Sequence, residues 1–215
     1  MVYPIEKWII PPIYKLWLRK VEGLENVPKH KPFIMAMNHA SYYDALLLPS
    51  LIIPKIDKKI HALVNSYYWN KFLTRIFLNY HESIPVYVEK GDKSKKNNKK
   101  SFEKAFNYLK KNEIIMIFPE GKRSSDGKLR KAYTGVARLA LNSKIPVLPI
   151  GIIGSNKVLP KGKFFPGFKR CEVKIGKPIY FNKYYNKKIN ERVLENITRI
   201  IMKNIAKLIY QRYNY

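Results

Sequence analysis

The sequence predicts one α/β domain, a central mostly parallel or mixed sheet flanked by helices, and three observations lead there. From Phe33 onward short apolar runs alternate with longer stretches of helical period, the pattern of strands and helices in layers. A chain of 215 residues, 46% hydrophobic, can bury one sizeable core and is short for two ordinary domains. No run of about 18 uncharged apolar residues occurs, so no simple bilayer-spanning helix is expected.

Residues 1–20 stand apart. Trp8, Ile9, Ile10, Ile13, Leu16 and Trp17 are interleaved with Lys7, Lys15 and Arg19, a mixture suited to a membrane headgroup boundary. The competing reading is a short helix, broken by Pro11-Pro12, that packs on the body of the protein. No signal peptide is expected, because Glu6 and Lys7 precede the apolar stretch and no small-residue cleavage site follows it. The division drawn from this is an interfacial segment, 1–20, and a folded domain, 21–215.

Within the domain, Phe33–Met37 reads as a buried strand and Ala45–Leu51 as the start of a helix. A strand at Ile60–Val64, a helix around Tyr68–Leu78 and a strand at Ser83–Val88 follow. Glu89–Lys100, rich in lysine with Gly, Asp, Ser and Asn, reads as a solvated loop, after which Ser101 would cap a helix to about Lys111. Ile114–Phe118 is a continuous apolar run and so a central strand, and Pro119–Lys131 a polar loop. A helix at Gly135–Asn142, strands at Val147–Ile152 and Cys171–Ile175, and a long helix at Ile189–Arg212 complete the pattern.

Against 15 acidic residues stand 42 Lys and Arg, a formal +27 that favours anionic partners: nucleic acid, acidic lipid, or phosphorylated small molecules. A generally lysine-rich surface would give the same count. No recognised nucleic-acid module accompanies the charge and the basic residues are dispersed, so no nucleic acid is expected as partner. Cys171 is the only cysteine, which excludes an intrachain disulfide and a thiolate metal cluster; its strand-like setting marks a structural thiol.

Two segments carry chemistry. Asn38-His39-Ala40-Ser41-Tyr42-Tyr43-Asp44 follows the first buried strand directly, at the end of the sheet where open α/β folds bind ligands. An imidazole can take a proton from a hydroxyl near neutral pH, and a carboxylate on its other nitrogen fixes the tautomer. Asp44 supplies that carboxylate if the intervening residues turn; capping the next helix is its alternative role. The second segment, Phe118-Pro119-Glu120-Gly121-Lys122-Arg123-Ser124, also leaves a buried strand. Arg123 offers a fork for phosphate oxygens and Gly121 lets backbone N–H groups approach an anion; alone, it could be a charged turn.

With Pro146-Val147-Leu148-Pro149, these blocks occur in an order and spacing that resembles the glycerolipid acyltransferase family, which contains the 1-acylglycerol-3-phosphate acyltransferases. The likeness runs from Val21 to Ile179. It implies that His39 is the general base on an acceptor hydroxyl and Asp44 its orienting partner. Asn38, Glu120, Gly121, Arg123 and Ser124 would form the substrate-binding set, with Arg123 on the acceptor phosphate. The implied reaction moves an acyl group from acyl-CoA or acyl carrier protein to a lysophospholipid hydroxyl in phosphatidic acid synthesis. No cofactor, metal or acyl-enzyme is expected, and the enzyme would sit peripherally on the cytoplasmic face of an anionic membrane.

Three positions depart from the family pattern. Val88 ends a segment where an arginine is common, leaving Lys90 as a substitute; Asn65 stands where lysine is frequent; and Lys122 replaces a hydroxyl residue. They affect the charges around the acceptor, so other acceptors stay open: glycerol 3-phosphate, another lysophospholipid or a lyso-aminolipid. A noncatalytic basic protein is the remaining alternative.

Overall fold

The computed structural model describes Lys7 and residues 10–215 apart from 90 and 164. Trp8 and Ile9, on which part of the interfacial reading rests, and Lys90, the possible substitute cation, lie outside the described residues. Seven strands form one sheet: β1 (Leu18–Glu22), β2 (Ile34–Met37), β3 (Ile60–Asn65), β4 (Ile84–Val86), β5 (Ile114–Ile117), β6 (Val147–Ile153) and β7 (Cys171–Ile175). Their order is β1-β7-β6-β2-β5-β3-β4. All neighbours run parallel except β6 and β7.

The central strands β2 and β5 read Ile-Met-Ala-Met and Ile-Ile-Met-Ile and are wholly buried, because helices cover both faces of the sheet. Alternate residues divide between two cores. Ile34, Ala36 and Ile115 join one, Met35, Met37, Ile114 and Met116 the other.

The helices are α1 (Ile10–Lys15), α2 (Tyr42–Ile56), α3 (Phe72–Tyr80), α4 (Asp92–Lys110), α5 (Gly135–Ser143), α6 (Ser155–Val158) and α7 (Glu191–Leu208). The proline pair sits in the first turn of α1, where no intrahelical N–H bond is required. Its last turn packs on α2, with the Tyr43 hydroxyl donating to the Tyr14 carbonyl. No helix among the described residues is long and apolar enough to cross a membrane.

Three expectations are corrected. The expected boundary after residue 20 falls inside β1, so the sheet begins at Leu18. The helix expected around Tyr68–Leu78 is a 3-10 turn, Ser66–Asn70, followed by α3. The stretch 89–100 is not a loop: α4 begins at Asp92, and Ser101 lies in its middle rather than at its cap. The buried residues of α4 are Ser94, Ser101, Ala105, Tyr108 and Leu109. Small hydroxyl residues hid their period from a search for large apolar ones. Asn98 bonds both backbone groups of Tyr87, and the Ser101 hydroxyl donates to the Pro85 carbonyl at 2.6 Å. These bonds fasten a lysine-rich helix to the sheet beside β4.

Helix α7 crosses β6 closely. A Cβ on Gly151 would lie 2.6 Å from an Ile209 methyl and 2.8 Å from Leu208 Cβ, so only glycine fits there. Since β2, β5 and β3 are adjacent and parallel, the chain leaves all three at the same end of the sheet. Both chemical segments start there.

Candidate active site

His39 is the second residue past β2. Its Nδ1 lies 3.1 Å from Asp44 Oδ2, and the same oxygen accepts the N–H groups of Ala40 and Ser41 at 2.8 Å each. Asp44 is fully buried. Ser41 caps α2, its hydroxyl accepting from Tyr43 N–H, while the Asp44 carboxylate reaches back to the cap's own N–H. The two roles weighed for Asp44 are therefore one arrangement: closing the capping box brings its carboxylate under the imidazole. With Nδ1 directed to a carboxylate, the neutral ring keeps its proton there and presents Nε2 as acceptor. Among the described residues nothing bonds to Nε2. Phe118 stacks on the ring at 3.8 Å between centroids and fixes its plane.

The second segment is stitched to the first through backbone. Glu120 Oε1 accepts the His39 N–H at 2.9 Å, Oε2 accepts the Arg130 N–H at 2.8 Å, and Ser124 N–H donates to the His39 carbonyl at 2.8 Å. Burial raises the Glu120 pKa to about 7, against the lowering effect of those two N–H donors and of the Arg130 charge. Gly121 turns with φ of 67°, and a Cβ there would strike the Tyr133 ring at 2.8 Å.

A cleft of about 460 Å³ opens over His39, bordered by Gly121, Lys122, Arg123, Asn65 and Lys161. Of the five residues expected to bind substrate, Gly121 and Arg123 line it. Asn38, Glu120 and Ser124 are buried under it. The amide of Asn38 exchanges two hydrogen bonds with the peptide of Ile152, at 2.8 and 2.9 Å, tying the end of β2 to β6. The Ser124 hydroxyl donates to Asp126 at 2.6 Å. Glu120, expected among the substrate-binding residues, instead holds the backbone of His39 from below.

Arg123 stacks on Tyr42 at 3.5 Å, and the Tyr42 hydroxyl is 2.8 Å from that of Tyr68. These tyrosines and Lys161 were not foreseen. Tyr42 stands inside the His39–Asp44 block, a signal that was available, whereas Lys161 belongs to no motif. Asn65 borders the cleft and caps the following turn through Tyr67 N–H at 2.9 Å. Val88 is exposed outside the cleft.

The cleft adjoins a smaller apolar pocket of about 130 Å³. Ala45, Leu46, Ala62, Val64, Phe77 and Leu78 line both. Tyr14 of α1 and Met116 of β5 line the smaller pocket only. The site thus joins a proton acceptor, cations at its mouth and an apolar extension. Cys171 is buried elsewhere, and burial pushes its thiol up to about 12.

The Acyltransferase family model matches residues 18–153, more than half of the chain, and includes His39, Asp44, Glu120, Gly121 and Arg123 but not Tyr14 or Lys161. A 1-acyl-sn-glycerol-3-phosphate acyltransferase of Brassica napus chloroplasts is 28% identical over 184 residues, covering 82% of this chain and 49% of its own. One from Bacillus subtilis is 26% identical over 162 residues, covering 75% of this chain and 73% of its own. The chain spans about half the length of the plant chloroplast relatives it matches. The crystal structure of the 1-acyl-sn-glycerophosphate acyltransferase PlsC from Thermotoga maritima superposes with a TM-score of 0.66 at 23% identity, covering 98% of this chain and 83% of that one, and so shares its fold. By the family match across β1 to β6, this chain belongs to the Acyltransferase family.

Proposed function

We propose that the protein transfers an acyl group from a thioester, acyl-CoA or acyl carrier protein, to the free hydroxyl of 1-acylglycerol 3-phosphate. The observation that carries this is the His39–Asp44 pair in a cleft that has Arg123 at its mouth and apolar walls behind it. The acceptor hydroxyl gives its proton to His39 Nε2 as its oxygen attacks the thioester carbonyl. Asp44 stabilises the imidazolium so formed. The tetrahedral intermediate collapses with cleavage of the C–S bond, and the proton passes from His39 to the departing sulfur. No protein nucleophile is used. Gly121 and its neighbours shape the wall beside the reacting carbonyl, while Glu120, Asn38 and Ser124 position His39 and the loop. Arg123, Lys122 and Lys161 meet the acceptor phosphate, and the apolar extension takes hydrocarbon.

The relatives' names support this acceptor, and the three cleft cations suit a phosphomonoester. We further place the protein peripherally on the cytoplasmic face of an anionic membrane, with residues 1–20 toward the headgroups. The test is initial rates on 1-acylglycerol 3-phosphate, glycerol 3-phosphate and uncharged or zwitterionic lysolipids, each with both donors. Preference for the phosphomonoester lysolipid is expected. Equal or faster turnover of an acceptor without the phosphomonoester would overturn the choice of substrate.

A further inference from the structure

The exposed surface around the cleft is unusual for a charged protein. Of the nine residues of α3, only Leu78 is buried. Phe72, Leu73, Ile76 and Tyr80 are each more than half exposed, and Phe77, at 44%, borders the cleft. Between α6 and β7 the segment 160–170 carries Phe165 and Phe168, 86% and 107% exposed. That segment is held in shape at its base: Gly167 N–H donates to the Val158 carbonyl at 2.8 Å, and the Trp17 indole donates to the Gly167 carbonyl at 2.7 Å. Its Lys161 borders the same cleft as Phe77. Each element therefore has a residue on the cleft and large apolar side chains presented to solvent.

Their charges are all of one sign. No acidic residue occurs between Asp57 and Glu82 or between Asp126 and Glu172, while Lys71, Arg75, Lys161, Lys163, Lys169 and Arg170 flank the exposed rings. Apolar rings bracketed by cations match the two layers of an acidic bilayer surface, hydrocarbon beneath phosphate. A second copy of the chain would set +27 against +27 and leave that charge unmet.

We propose that α3 and the segment 160–170 form a lipid-docking surface that seats the cleft directly on an anionic membrane. The Phe165 and Phe168 rings and the outer face of α3 enter the headgroup boundary, and the flanking cations meet lipid phosphates. Trp17, in the segment expected to insert, serves here by holding the segment 160–170. The proposal deepens the interfacial reading above and rests on it only for the lipid nature of the acceptor.

The test uses the full chain in sedimentation with vesicles of phosphatidylcholine, with and without phosphatidylglycerol. Two double variants, Phe165→Ser/Phe168→Ser and Leu73→Ser/Ile76→Ser, alter exposed residues that do not line the cleft. Each is expected to weaken partitioning to the phosphatidylglycerol vesicles by about tenfold or more, and their combination by more. Turnover of a short-chain, water-soluble acceptor should stay at the wild-type level. Unchanged partitioning of both double variants at physiological salt overturns the proposal. So does retained vesicle binding with a selective loss of turnover on carrier-protein-bound donor, which would mark an acidic protein partner, or a change confined to self-association. If the wild type turns over no acceptor, the functional reading fails while the vesicle result still decides this surface.

Discussion

Among the described residues, two histidine–carboxylate pairs, His39–Asp44 and His61–Glu113, lie at this sheet, and they differ in what the second ring nitrogen meets. His39 gives Nδ1 to Asp44 and turns Nε2 toward a cleft. His61, in β3, has Nε2 2.9 Å from Glu113 and Nδ1 3.3 Å from the Glu82 carbonyl, with Tyr108 stacked 3.6 Å above it. Its side chain is fully buried, and burial holds its pKa below the usual histidine value although Glu113 opposes this. A histidine beside a carboxylate is therefore not in itself a catalytic site. The free nitrogen, and room beside it for a reactant, make the difference.

The carboxylates differ as well. Asp44 is fully buried and gathers three donors on one oxygen, whereas Glu113 is partly exposed and can be replaced by water. Asp44→Ala should accordingly show the largest effect on stability, about 3–5 kcal/mol in urea denaturation, together with loss of turnover. A cost no greater than that of a change at Glu113 would erase the distinction between the pairs.

Arg123→Ala should lower kcat/KM for phosphorylated acceptors by about 1.5–3 kcal/mol of lost charge-assisted bonding, leaving phosphate-free acceptors nearly untouched. Equal losses on both classes would mean that Arg123 mainly holds Tyr42 and Tyr68 in place.

Glu120→Gln tests the floor of the site. An amide has only one oxygen, so either the His39 or the Arg130 N–H loses its acceptor, at about 1–3 kcal/mol. The pH dependence has a definite sign. The folded pKa is raised from 4.5 to about 7, so the native state binds more protons across that window and wild-type stability from this group falls as pH rises. Melting curves should therefore show the gap between wild type and variant narrowing from pH 4.5 to 7. A widening gap would show that Glu120 is held ionised. Glu113→Gln, which keeps an oxygen for His61, should have the smallest effect, about 1 kcal/mol in stability and none in turnover.

The same contrast explains what could be read before the fold was known. His39 and Asp44 were legible because their spacing lets a capping turn close, a purely local event. Arg123 and Gly121 were legible as a cation and a glycine just past a buried strand. The burial of Glu120, Asn38 and Ser124 was not: each is polar, and the adjacency of β2, β5 and β6 turns the Glu120 and Asn38 side chains onto neighbouring backbone, while Ser124 turns to Asp126. Helix α4 was mistaken in its first half because its buried stripe uses serine. Lys161 and the exposed phenylalanines near it belong to no periodic pattern, and the segment that carries them is held by tertiary bonds from Gly167 to Trp17 and Val158.

The most direct measurement is the rate of thiol release from acyl-CoA with 1-acylglycerol 3-phosphate, for wild type and His39→Ala, alongside their melting temperatures. With Nε2 as the proton acceptor, the variant should lose about 10²–10⁴-fold in kcat with little change in melting. A folded His39→Ala protein that keeps about a tenth or more of wild-type turnover would contradict the assignment of the general base.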